Sequence, residues 1–171
     1  MRTRCLREGV RALTVILRRN EALELNLVEF IGAITLDELK AVAKFQADKP
    51  NLLASDCLNV VRAGGAFNTV TFQDLDMLFE HYRKLFSPLR LQIFRRAVWL
   101  CEDDGPKAHV THWLSRDTRE GMSSTVKHCH SFAEAADWLL LMDIERAILE
   151  RAEGFEEIVR FTAPPARAAA R

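Results

Sequence analysis

The sequence predicts one α/β domain: a mixed, mostly parallel β-sheet with covering helices, in the order β-β-α-β-α-β-α-β-α. Three observations predict it. Short β-branched runs alternate with longer amphipathic runs along most of the chain, which is the signature of a parallel sheet covered by helices. Three helix starts carry capping pairs: Thr35 with Glu38, Thr71 with Asp74, and Ser131 with Glu134. The 171 residues are enough for a single hydrophobic core.

Residues 1–11 read as a basic leader. In MRTRCLREGVRALTVILRR the one acid is Glu8, a composition like that of an organellar transit peptide. The apolar part ALTVIL is short and β-branched, however, and no small-residue cleavage site follows it. The leader is therefore expected to feed a first strand over residues 12–18. A turn at 20–22 and the alternating segment LELNLVEF at 23–30 make a half-buried strand paired back on the first. The first helix is expected over 36–47, ending before Pro50. CLNVV at 57–61 is a strand and RAGGAFNT a loop. The helix from Phe72 to Phe86 is the clearest, with Phe72, Leu75, Phe79, Tyr82 and Phe86 on one stripe. RRAVWLC at 95–101 is a strand, KAHVTHWL a short helix and STVKHC at 124–129 the last strand. A final helix from Phe132 toward Arg151 would bury Ala136, Leu140, Ile144 and Ile148. The domain thus spans 12–152. Residues 153–171, ending FTAPPARAAAR, read as a disordered Pro/Ala-rich tail.

Composition excludes several classes. Hydrophobic residues are 49% and charged residues 28%, as in ordinary globular proteins. Lys+Arg and Asp+Glu are 24 each, so no net charge draws the chain to nucleic acid or an anionic membrane. No apolar run approaches the roughly 20 residues of a membrane span. Cys5, Cys57, Cys101 and Cys129 form no CxxC pair. Reduced thiols in a cytoplasmic protein are the expectation.

The candidates for chemistry are few. His128 and His130 flank Cys129 in the last strand, so the two imidazoles share one face and the thiol takes the other. His109 and His112 lie at i, i+3 on the short helix. Four imidazoles could in principle hold zinc, but nothing on their side supplies the carboxylates or thiolates a catalytic centre usually adds. The plainer reading has Cys129 in the core and both histidines at the strand's polar end. Gly64 and Gly65 precede a helix, where backbone amides can meet an anion, though a glycine pair commonly just turns the chain. The acids of CEDD at 101–104 sit at the carboxyl end of a strand, where α/β sheets place their sites; a solvated loop is the duller alternative. Arg95 and Arg96 could meet a phosphate, with solvation at the strand entry as the default. Trp99, Trp113 and Trp138 read as core. No nucleophile elbow, GxGxxG or Walker loop is present, and no cofactor is called for.

The phrases FIGAITLDEL, RRAVWLC and above all STVKHCHSFAEAADWLL give the chain a likeness to a known group. It resembles the SpoIIAA-like, STAS-type domains, relatives of anti-sigma-factor antagonists, over roughly residues 12–142. The resemblance implies a mixed sheet with helices and a regulatory or ligand-sensing role without catalysis. Phosphorylatable antagonists of that group carry an Asp-Ser pair after the central strand. The corresponding loop here, VVRAGGAFNTVTF, has no serine, and Thr69 and Thr71 are its only hydroxyls.

The leading expectation is a non-enzymatic module that engages an unidentified protein through Gly64, Gly65, Phe67, Asn68, Thr69 and Thr71. An alternative is a binder of a lipid or other apolar small molecule, as in the related Sec14-type folds, with the aromatic helix 72–86 lining a cavity. A metal-dependent enzyme built on His109, His112, His128 and His130 is the third.

Overall fold

The computed structural model describes residues 14–89, 95–116 and 124–162. The leader at 1–11 lies outside them. Six strands form one sheet: β1 (Thr14–Asn20), β2 (Leu25–Ile31), β3 (Asp56–Val61), β4 (Arg95–Cys101), β5 (Ser124–Cys129) and β6 (Glu156–Thr162). Their spatial order is β5-β4-β3-β2-β1-β6. β2, β3, β4 and β5 pair in parallel, while β1 is antiparallel to both β2 and β6. Five α-helices accompany the sheet: α1 (Leu36–Asp48), α2 (Phe72–Phe86), α3 (Lys107–Ser115), α4 (Phe132–Leu139) and α5 (Asp143–Arg151).

The opening hairpin turns at residues 21–24, where Glu24 takes a left-handed conformation. Asn20 holds this corner: its side chain accepts from the Leu23 amide at 3.1 Å and donates to the Glu153 carbonyl at 3.2 Å. The expected boxes form at Thr35 and Thr71, while at Ser131 only the side-chain half forms and the Glu134 carboxylate takes the His130 amide instead. Thr35 and Thr71 accept from the amides of Glu38 and Asp74, whose carboxylates reach back to the threonine amides. Ser131 accepts from the Glu134 amide at 3.1 Å. These bonds satisfy amides that a helix start leaves orphaned.

The sheet separates two cores. Val28, Phe30, Cys57, Val61 and Ala97 face α1, α2 and α3. Leu25, Leu27, Leu58, Val60, Val98 and Cys129 face α4 and α5. Alternation along a strand sends successive side chains to opposite faces, and strands buried on both faces read as continuous apolar runs. Three thiols, those of Cys57, Cys101 and Cys129, are buried and unbridged.

Two expectations are corrected. The final helix is broken. Leu140 adopts a left-handed conformation (φ 60°, ψ 37°), closing α4 through bonds from its amide to Ala136 and Asp137. The Leu141 amide returns to the Ala136 carbonyl at 2.9 Å, a Schellman-type ending. A new start follows, with Glu145 accepting from the Met142 amide at 2.7 Å. The break turns Leu140 and Ile144 outward, 77% and 71% exposed, whereas Ala136 is buried and Ile148 half-buried. The second correction is at the tail: residues 156–162 form β6 along β1 instead of disordered chain. Val159 lies opposite Leu17 and Phe161 opposite Val15. The Phe161 ring meets Phe45 of α1 edge-on at 5.9 Å.

One ionic network crosses four strand ends. Glu29 of β2 is 7% exposed and sits between Arg18 of β1 and Arg62, both at 2.7 Å. Arg62 continues to Glu102 at 2.7 Å. Burial alone would lower the Arg62 pKa; its bonds to Glu102 and Glu29 outweigh that and raise it. Removing one partner leaves a half-buried charge unmatched. Glu29→Ala is expected to cost roughly 2–3 kcal/mol in urea denaturation, below the figure for a fully buried pair because both guanidinium groups keep some solvent. A loss under about 0.5 kcal/mol, the size of an exposed pair, would contradict the network's role.

Candidate functional site

The α1–α2–α3 face of the sheet does not close fully. A cavity of about 120 Å³ lies between strands and helices. Its floor is made by Phe30 of β2, Cys57 and Asn59 of β3, Arg95, Ala97 and Trp99 of β4, and Val126 of β5. α1 contributes Leu39, Val42 and Gln46; α2 contributes Leu75, Leu78, Phe79 and Tyr82; α3 contributes His109, Val110 and Trp113; Phe67 comes from the β3–α2 loop. The wall is mainly apolar, and its aromatics hold one another. Phe30 stacks on Trp99 at 5.1 Å, and Trp113 meets Phe79 and Tyr82 edge-on at 5.8 and 5.6 Å.

A few polar groups interrupt this wall. Asn59 stands in the middle of the floor, between Cys57 and Val61 on the same strand face. Its Nδ2 donates to the Val98 carbonyl at 3.1 Å, and its Oδ1 accepts from the weak Cys57 thiol donor at 3.8 Å. Desolvation pushes the Cys57 thiol and the Tyr82 hydroxyl pKa upward, so both stay protonated near neutrality. His109 places Nε2 2.9 Å from the Val70 carbonyl, while among the described residues its buried Nδ1 meets no hydrogen-bond partner.

α3 is clasped to α2 beside the cavity. His112 Nε2 lies 2.8 Å from Asp76, which also pairs with Arg116. The Phe72 ring stacks on His112 at 4.5 Å, with 8° between the planes, and meets His109 at 5.2 Å. Phe72 is thus 46% exposed against α3, and Leu78 takes the buried place on the helix.

The loop residues expected to form a partner surface divide. Gly64 is exposed with φ 78°, and Asn68, Thr69 and Thr71 are exposed as well. Gly65 is buried; a Cβ there would fall 2.7 Å from the Arg62 carbonyl oxygen. Phe67, 4% exposed, belongs to the core and the cavity wall. The two loose candidates near this loop satisfy each other. The Ala63 amide donates to Glu102 at 2.8 Å and the Gly64 amide to Asp103 at 2.6 Å. The loop's anion is therefore the chain's own carboxylates. Arg96 pairs with Asp56 at 2.6 Å, and Arg95 lines the cavity instead of standing solvated at the strand entry.

The histidines do not assemble as a four-imidazole site. His128 and His130 share a face, 5.2 Å apart, with Cys129 in the opposite core. His109 and His112 turn to α2. Among the described residues no group of three or more His, Cys, Asp or Glu is placed to hold a metal ion. Desolvation, and then neighbouring His130, lowers the His128 pKa. Among the described residues, no helix is long and apolar enough to cross a membrane. Trp99 and Trp113 prove to be cavity wall, and Trp138 packs on the far side of the sheet under Lys127.

Asn59, Gln46, Arg95 and His109 as cavity groups went unseen in the sequence. One signal existed for Asn59: a carboxamide inside the apolar run CLNVV. Comparison with protein families, curated proteins and solved structures found no match to this chain.

The clasp has an acid dependence. The hydrogen bond from His112, with that from Arg116, lowers the Asp76 pKa below its ordinary 3.8. A depressed carboxylate contributes stability above its unfolded pKa and loses it as pH falls through the folded one. The stability gap between the native chain and Asp76→Asn is therefore expected to be full at pH 6 and to shrink below about pH 4. Thermal melts across that range check it, and a gap independent of pH would refute it.

Proposed function

We propose that this protein is a non-enzymatic binder of a small apolar molecule, held in the cavity between the sheet and α1, α2 and α3. The cavity itself carries this reading. Protein interiors are close-packed, and this partly open chamber of about 120 Å³ leaves an apolar, aromatic wall without protein neighbours. An apolar chamber with a few convergent polar groups is also the usual form of a small-molecule site. The likeness to STAS-type domains rests on sequence phrases and element order, and a ligand-sensing role agrees with it.

A chamber that serves binding can be filled without harm to the fold. Ala97, 5% exposed, lies on the floor. Saturating benzene is expected to raise the melting temperature of the native chain by several degrees, since 100-fold excess over Kd adds about 2.7 kcal/mol. Ala97→Leu is expected to melt at the same temperature or higher and to show no benzene shift. An unshifted native chain, or an undiminished shift in Ala97→Leu, would defeat the reading.

A second reading, a protein-interaction module, draws support from the α4–α5 elbow. Leu140, Met142 and Ile144 are 77%, 65% and 71% exposed within five residues, and clustered exposed apolar side chains mark contact surfaces. This surface differs from the loop at 62–71. Sedimentation or cross-linking with and without Ile144→Glu tests it. Loss of an assembly in the variant supports the module, and identical behaviour opposes it.

A further inference from the structure

We propose that the ligand is a small aromatic carboxylate, its ring in the chamber and its carboxylate held by the guanidinium of Arg95. This rests on the ligand-binding reading of the cavity.

Strand alternation places the arginine. Arg95, Ala97 and Trp99 take alternate positions along β4, so the Arg95 side chain leaves the sheet on the face that carries the chamber. Arg96 leaves on the opposite face and pairs with Asp56 at 2.6 Å. Arg95 is accordingly part of the chamber wall. Its charge acts on two other groups of that wall. Burial raises the pKa of the Cys57 thiol and of the Tyr82 hydroxyl, and in both the positive charge of Arg95 works the other way. The guanidinium thus stands near groups that border the same space. It is also within reach of solutes: Val42, Leu78 and Ala97 are buried, whereas Tyr82, Arg95 and Val126 are half-buried. The wall combines buried apolar groups with a half-exposed cation.

An anion with an apolar body uses both. A guanidinium presents several N–H donors in a planar fork, and it can take a carboxylate through two parallel bonds beside the other bonds it makes. The Tyr82 hydroxyl, kept protonated by burial, is a further donor in the wall. Sign discriminates as well. Among the described residues no acidic side chain lines the chamber, so an ammonium would be desolvated without compensation. Size and shape restrict the body. The volume, about 120 Å³, is slightly below the roughly 150 Å³ that accommodates benzene in an engineered cavity. One six-membered ring is of that scale, with the carboxylate outside the apolar part, at Arg95. Phe79, Trp99 and Trp113 offer aromatic faces and edges suited to a flat ring.

The test measures, by calorimetry at neutral pH, the affinities of benzoate, nitrobenzene and acetate for the full chain and for two variants, Arg95→Gln and Ala97→Leu. Nitrobenzene matches benzoate in shape without its charge, and acetate carries the charge without the ring. The native chain is expected to bind benzoate roughly tenfold more tightly than nitrobenzene, the worth of a charge-assisted hydrogen bond, and acetate more weakly than either. Arg95→Gln is expected to erase the preference for benzoate while still binding nitrobenzene. Ala97→Leu, which fills the floor, is expected to bind neither ring. Benzoate bound no more tightly than nitrobenzene by the native chain would overturn the inference even if a variant failed to fold, and would leave the cavity reading standing. A benzoate preference that survives in Arg95→Gln would also overturn it. So would undiminished benzoate binding in Ala97→Leu, which would put the acid outside the chamber, or acetate bound as tightly as benzoate. Binding of none of the three by the native chain would defeat the cavity itself as a ligand site.

Discussion

β3 is covered on both faces. Leu58 and Val60 pack toward α4 and α5, while Cys57 and Val61 pack toward α1, α2 and α3. A strand in that position must have helices on both sides, because each uncovered face would present apolar side chains to water. The rest of the architecture follows from supplying those covers. Parallel neighbours need crossover connections, and the crossovers are α1, α2 and α3 on one face and, on the other, α4 and α5 beyond β5. The antiparallel strand β1 then closes the sheet on one side and gives β6 an edge to join.

Coverage differs between the two faces. On the α4–α5 side the β3 positions facing the helices are Leu58 and Val60, both fully buried. On the α1–α3 side, Asn59 takes a place where its strand neighbours Cys57 and Val61 are core residues. A carboxamide cannot pack as an apolar side chain does, and its bonds to Val98 and Cys57 hold it flat on the sheet. Three helices meet above it, α3 clasped to α2 by the Phe72–His112–Asp76 group, and an aromatic-walled chamber remains. A polar residue in the floor and an unfilled, aromatic-walled volume occur together. Together they are what supports the proposed ligand-binding reading.

Local signals carried most of the fold into view. α2 and the strands at 95–101 and 124–129 stand where pattern and caps put them, because Thr71, Pro88 and the β-branched runs act within a few residues. What escaped was decided at a distance. β6 has alternating, mostly exposed side chains, and it is a strand because Val15 and Leu17 offer it an edge about 140 positions earlier in the chain. The break at Leu140 escaped because a left-handed leucine goes against residue preference, and the Glu145 bond that restarts the helix lies inside an unbroken apolar period. The cavity was legible only as a possibility. Helix 72–86 showed its aromatic stripe, but whether those rings fill the space or border it depends on how three helices meet. Neither the place of Asn59 nor that of His109 can be read from spacing, since they depend on the carbonyls of Val98 and Val70.

The central claim is that the chamber beside Asn59 is an accessible site and not a flaw in packing. Xenon enters dry apolar cavities without chemical bias. A crystal structure under xenon pressure tests the claim most directly. The account predicts one ordered xenon among Asn59, Leu78, Phe79 and Trp113, with surrounding side chains unmoved. An unoccupied region with the helices collapsed onto Asn59 would contradict it.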